Sequence, residues 1–382
     1  MKLNIFALLW FLPFMNVNIN VNAFTKLNII RKNNNNNNNN IHNKKQLLIP
    51  NIYGKQLVLF NGNKEKIESI EIIESIENIE NRHIEENLLQ LIEKKGNGFL
   101  KIIRYRNILP TFLIFFSGGW IMCPSWVPLW TNIPFLVTSI NTILIMSASM
   151  IMNDLFDKDI DTFNMSRRPL VTGEVTKWEA VLYIFFLLSF TEFLSLHFLT
   201  QYLQDSIHFS IIGLFLYTPI FKKITLIKNI FCAFFVAFAF FLGGNASSKH
   251  IITLNPNFGL FSVLFSLIFF GSIYNEIILD IKDYRGDKFY NVKTLPVLIG
   301  KTTTWIVCGI VLFYNILSNT FSLMYAKGIE SGVILPFIFV PVLESFFEIK
   351  KKRFSKDSII NAVNISSGKF FLIILLYFYL LA

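Results

Sequence analysis

The sequence predicts an all-α, polytopic membrane protein with about nine transmembrane helices around a central cavity. Three observations carry that expectation. Of the 382 residues, 53% are hydrophobic and only 16% charged, with 42 Phe and a mean hydropathy of +0.50, far from the balance of a soluble globular chain. Apolar runs long enough to span a bilayer, or nearly so, recur at 107–129, 133–152, 179–199, 207–220, 227–245, 258–279, 304–326, 332–347 and 362–382. Lys and Arg gather in alternate loops, which sets one side of the bundle as the positive one.

Before the first span lie three segments of different character. Residues 1–23 hold Lys2, a short apolar stretch and Val21-Asn22-Ala23, the layout of a secretory signal peptide. Residues 24–66 form an Asn-rich leader whose first part, through Phe60, is basic and free of acids; it includes the run Asn33 to Asn40 and cannot bury a core. Signal plus transit-like leader points to a plastid-type organelle reached through the secretory route, with the mitochondrial inner membrane or an uncleaved leader as alternatives. Residues 67–95 repeat Ile and Glu every third position, an amphipathic helix or a low-complexity spacer, since a strict period of three drifts around a 3.6-residue helix. The membrane domain is expected to fill 96–382.

The net charge of +10 does not imply nucleic-acid binding, because the excess lies in the leader and the positive-side loops. Cys123, Cys232 and Cys308 all fall inside apolar runs and read as small core residues.

The positive side also carries two acidic clusters, each at the end of a span: Asn153 to Asp161 and Asp280 to Asp287. Carboxylates beside hydrocarbon are costly and mark sites. If the second span continues as helix, Asn153, Asp157 and Asp161 share one face at i, i+4 and i+8, with Asp154 beside them. Asp280, Asp283 and Asp287 do the same at i, i+3 and i+7. Helix C-termini repel anions, and a divalent cation removes that conflict. Oxygen ligands without nearby His or Cys favour Mg²⁺, which binds a few carboxylates together with substrate phosphate. Arg104, Arg168, Lys222, Lys223, Lys288 and Lys293 lie on the same side and could contact such a phosphate, although each by itself is more often an anchor of the positive face than a functional residue.

These residues resemble a known family. NDLFDKDID followed by Arg168-Pro169 and a small-residue turn, the stretch from Tyr217 to Asn229, and the second motif from Asp280 through Lys301 are similar to the signatures of the UbiA intramembrane prenyltransferases over about 100–382. The resemblance implies transfer of a polyprenyl group from its diphosphate to an acceptor. It assigns Mg²⁺ to Asn153, Asp157 and Asp161 on one side and Asp283 and Asp287 on the other, with Asp154 and Asp280 as additional members. Asp157, Asp161, Asp283 and Asp287 become the catalytic candidates; Arg104, Arg168, Lys222 and Lys293 become the diphosphate contacts. The second motif looks closer to the branches acting on homogentisate, chlorophyllide, naphthoate or geranylgeranylglyceryl phosphate than to the 4-hydroxybenzoate branch, and the main expectation is an aromatic or ring acceptor (homogentisate, chlorophyllide or naphthoate-like), in quinone, tocopherol or related prenyl-lipid synthesis. The alternative is an ether-lipid synthase acting on geranylgeranylglyceryl phosphate. Asn275 departs from several relatives, which have Arg there. Outside this class, the same acids could serve a membrane transporter, with Glu192 and Glu344 as further acids inside spans, or a non-catalytic lipid-binding relative.

Overall fold

The computed structural model describes residues 86–163, 167–248 and 252–382, and their regular structure is helical throughout. The chain divides between Lys95 and Gly96 into two units. In the first, residues 86–95 are helical. The signal (1–23), the leader (24–66) and the Ile/Glu repeat through 85 lie outside the described residues.

In the second unit, residues 96–102 are helical and lead into α1 (Ile108–Met122). The first predicted span is cut short at Met122 and followed by a separate short helix, α2 (Trp126–Thr131). The cause is local. Pro124 lacks an amide donor and disfavours helix at Cys123. The released carbonyls of Ile121 and Met122 instead accept from the Asn257 and Asn255 side-chain amides, both at 2.9 Å.

The second span, α3 (Ile133–Phe156), has Pro134 in its first turn and an Asn132 side chain capping Phe135 N at 3.2 Å. Its helix does not run unbroken through the acidic cluster, as the spacing predicts. It ends at Asp157, and α4 (Lys158–Phe163) restarts at once. The i→i−4 bonds Asp157 N to Asn153 O (3.0 Å) and Asp161 N to Asp157 O (2.8 Å) survive the break, so the three residues still lie on one continuously hydrogen-bonded stretch.

After α5 (Pro169–Thr172) and the left-handed Gly173, a capping box of Thr176 and Glu179 starts α6 (Lys177–Phe198). Next come α7 (Gln201–Tyr217) and α8 (Ile227–Ser247). The 32-residue α9 (Phe258–Phe289) continues ten residues past the predicted end, through the second acidic cluster. A short α10 (Leu295–Ile299) leads to α11 (Lys301–Lys327). Pro336 and Pro341 divide the next span into α12 (Ile329–Ile338) and α13 (Val340–Lys351). Gly368 divides the last into α14 (Lys356–Ser367) and α15 (Lys369–Leu381).

Seven of these segments are long and apolar enough to cross a membrane: α3, α6, α8, α9, α11, the α12–α13 pair and the α14–α15 pair. The protein is an integral membrane protein. The expected count of nine is not fixed by length, because α1 (15 residues) and α7 (17 residues), which occupy the other two predicted segments, are shorter.

Two apolar clusters form the interior. One is built on α3, α6 and α7, the other on α9, α11 and α12 to α15, and both draw residues from α1 and α8. These two helices meet at glycines: a methyl on Gly118 would overlap the Phe240 carbonyl, and one on Gly243 the Phe115 carbonyl. Backbone-to-backbone approach of this kind is how helices associate where lipid removes the hydrophobic drive. Cys308 is fully buried and Cys123 and Cys232 half-buried, all as free thiols.

Candidate active site

The first acidic cluster is held in two layers. Asn153 and Asp157 face Lys222, whose Nζ lies 2.7 Å from Asn153 Oδ1 and 2.5 Å from both Asp157 oxygens. One turn away, Asp154 is only 2% exposed and accepts on Oδ1 from Arg104 Nη2 (2.9 Å) and Arg168 Nη1 (2.5 Å). Arg168 also lies 2.9 Å from Asp161 Oδ2, an ion pair that leaves this buried oxygen without a hydrogen bond. Burial raises the Asp161 carboxyl to about 6; Arg168 opposes the rise, and Asp157 and Asp154 add to it.

The approach of Arg104 has a backbone origin. It sits just after the helix of 96–102 in a left-handed conformation (φ 50°, ψ 59°), which costs a non-glycine residue roughly 1–2 kcal/mol. Its guanidinium joins that of Arg168 on Asp154, whose charge holds both.

The second cluster is organised by residues that sequence reasoning left without a role. Asp280, 8% exposed, accepts from Lys228 Nζ (2.6 Å) and Asn229 Nδ2 (3.0 Å). Both lie in the first turn of α8. The available signal was a lysine inside the start of an apolar run, a position where a charge is rare unless it has a partner. Asp283 is more open, its side chain 54% exposed and 3.6 Å from Lys282 Nζ. Asp287 is half-buried, and its carbonyl accepts from Val292 N (2.8 Å), turning the chain into the next loop.

The connection from α7 to α8 therefore straps the two clusters together. Lys222, in the 3-10 turn Phe221–Lys223, reaches the first; Lys228, six residues on, reaches the second. Between them Leu226 adopts φ 67°, ψ −42°, with Ile227 N bonded to Thr225 O at 2.8 Å, a γ-turn of the rare and strained hand. Thr225 Oγ1 also donates to the Lys293 carbonyl at 2.5 Å, tying the strap to the loop after α9. The Lys293 side chain itself is exposed.

Strap and clusters place nearly all the sequence-predicted residues at one end of the bundle. The sequence model of the UbiA prenyltransferase family matches residues 108–368, which covers both clusters and the strap. The chain belongs to the UbiA prenyltransferase family. It is an enzyme that transfers prenyl groups. Among relatives, the digeranylgeranylglyceryl phosphate synthase of Natronomonas pharaonis is 28% identical over 65% of this chain and 85% of its own length. That of Sulfolobus acidocaldarius is 27% identical over 66% and 90%. The fold resembles a UbiA homologue from Archaeoglobus fulgidus solved with GPP and Mg²⁺, at a TM-score of 0.56 and 21% identity, covering 74% of this chain and 99% of that one.

The donor set suits a hard divalent cation. Three oxygens of Asn153 and Asp157 already converge on one positive charge, the Lys222 ammonium, and Asp161 offers a further buried oxygen. Among the described residues no three His, Cys, Asp or Glu side chains are close enough to form a metal cage by themselves. Such a set matches Mg²⁺, which takes one or two carboxylates and completes its shell with water and substrate phosphate.

Proposed function

We propose that this family member transfers a polyprenyl group from its diphosphate to the hydroxyl oxygen of a glycerol-phosphate-type lipid, forming an ether. The support for this acceptor is the name shared by the relatives above, digeranylgeranylglyceryl phosphate synthase. It favours the ether-lipid alternative over the aromatic or ring acceptors of the main expectation. In the reaction the bond from the prenyl carbon to the diphosphate oxygen breaks, and the acceptor oxygen bonds to that carbon. Diphosphate departs, and the hydroxyl proton leaves to it or to water.

Asn153, Asp157 and Asp161 would hold Mg²⁺ on one side and Asp283 and Asp287 on the other. When bound, the ion supplies positive charge against the leaving diphosphate. Arg168, Lys222, Arg104 and Lys293 would receive phosphate oxygens, the arginines through paired N–H groups and the lysines as point charges. Asp154 and Asp280, buried and already matched to basic partners, act in this reading by holding Arg104, Arg168 and Lys228 in place rather than as ligands. The surrounding helices keep water from the reactive carbon. The archaeal relatives lend no support to a plastid or mitochondrial address, which rests on residues 1–66 alone.

The test is transfer of labelled geranylgeranyl diphosphate by purified protein in lipid, with Mg²⁺, to geranylgeranylglyceryl phosphate and in parallel to homogentisate, a naphthoate and a chlorophyllide. An ether product that disappears with EDTA and in Asp157→Ala is expected. Product with an aromatic or ring acceptor only would overturn the acceptor assignment.

A further inference from the structure

One carboxylate at this end of the bundle takes no part in matching the cations. Glu276 lies in α9, and at i+4, i+7 and i+11 from it come Asp280, Asp283 and Asp287, so all four share one stripe of the helix. Glu276 is the innermost acid of that stripe. At 1.5 Å per residue it stands about 6 Å below Asp280 and about 10 Å below Asp283, toward the hydrocarbon.

The neighbouring helices fix what surrounds it. α8 leaves the strap where α9 arrives, so the two run antiparallel, and the Lys228–Asp280 pair (2.6 Å) is followed one turn deeper by Cys232 and Glu276. Cys232 and Tyr217, the last residue of α7, are close enough to feel the Glu276 charge. The other charged groups acting on it are Asp280, Lys228, Arg104 and Lys282. None of them bonds to it. The half-buried Glu276 carboxylate has no hydrogen-bond or ion-pair partner among the described residues, whereas Asp154, Asp157 and Asp280 are each matched to a cation. An unpaired acid inside a span is costly and marks a function.

A diphosphate held by the clusters lies at the helix ends, and the apolar chain attached to it runs inward, away from water. The carbon that changes partners is thus on the hydrocarbon side of the diphosphate, the side on which Glu276 stands. We infer that Glu276 is the general base of the transfer. Its carboxylate takes the proton of the acceptor hydroxyl as that oxygen bonds to the prenyl carbon, and the diphosphate departs with the electron pair of the broken bond. Glu276, left as a neutral acid, then releases the proton to water. The inference rests on the transferase reading above and deepens it, giving the proton a fixed first acceptor. Asp280 does not compete for it while Lys228 and Asn229 occupy its two oxygens.

The experiment compares Glu276→Gln, which keeps shape and removes the base, with the wild type in lipid. Both are given geranylgeranyl diphosphate, Mg²⁺ and one of two acceptors: geranylgeranylglyceryl phosphate, or its analogue with a thiol in place of the free hydroxyl. A positioned base contributes roughly 10²–10⁴-fold, so kcat with the alcohol is expected to fall at least about a hundredfold, with diphosphate binding changed less than about twofold. A thiol ionises by itself near pH 8.5, so at pH 9 the variant should transfer to the thiol within about threefold of the wild type. Should Glu276→Gln fail to fold, Glu276→Asp serves. Drawing the carboxylate back by one carbon should slow transfer to the alcohol at least about tenfold and spare transfer to the thiol. Equal losses with alcohol and thiol, diphosphate binding weakened in step with the rate, or full activity with the alcohol overturns the inference and leaves the transferase reading standing. A wild type that yields no product with either acceptor overturns that reading and the inference with it.

Discussion

At the scale of single residues, Asp154 and Asp157 lie three positions apart in the chain and have opposite surroundings. Asp157 faces an ammonium, side chain 18% exposed; Asp154 is sealed under two guanidiniums, side chain 3% exposed. The proposed division of labour predicts that Asp154→Asn, which keeps shape and removes charge, raises KM for the prenyl diphosphate about tenfold, the order of one charge-assisted hydrogen bond lost. The Mg²⁺ concentration for half-maximal activity should not move. A ligand role for Asp154 would move it upward instead, so a Mg²⁺ titration of the variant decides between the two. The same logic covers Asp280, whose two oxygens are taken by Lys228 and Asn229.

At the scale of elements, the contact of α1 with α8 is the most exacting. Gly118 and Gly243 permit carbonyl-to-backbone approach, and nothing larger fits without moving a helix. Gly243→Ala is expected to destabilise the protein by about 1–3 kcal/mol, as overpacking does in tight cores. The readout is the thermal unfolding midpoint in a fixed detergent. Gly271→Ala, where a methyl meets only an ordinary contact, should leave that midpoint near wild type. A drop of equal size in both variants would mean that the glycines matter through helix propensity and not through closeness.

At the scale of the whole molecule, the two apolar clusters each bring one acidic cluster: α3 carries the first and α9 the second. The strap between α7 and α8 holds lysines on both. Ligand that engages both clusters should therefore stabilise the complete fold. Mg²⁺ and geranylgeranyl diphosphate together are expected to raise the unfolding midpoint, corresponding to about 2.7 kcal/mol at a hundredfold excess over Kd. Either one alone should do far less, and Asp157→Ala should abolish the joint effect. A full shift from the diphosphate alone would count against metal-bridged binding.

The sequence by itself determined the all-helical membrane class and the family of transferase, and it marked a candidate site; it did not fix the number of spans or the acceptor. Hydropathy registers burial in lipid segment by segment, and carboxylates at span ends stand out against it, so Asn153, Asp157, Asp161, Asp283 and Asp287 could be marked as a site from their spacing alone. It could also foresee that both clusters share one side, because loop charge sets orientation. Only the tertiary structure decided how those residues divide their partners. The pairing of Arg104 and Arg168 on Asp154, the reach of Lys222 and Lys228 to separate clusters, and the link from Asn275 to Ser366 join positions 14 to 91 residues apart. No local periodicity encodes such distances. They follow from where helices break, at Asp157, Pro124 and Gly368, and from how closely α1 and α8 can approach. Those outcomes depend on the packing of the whole bundle.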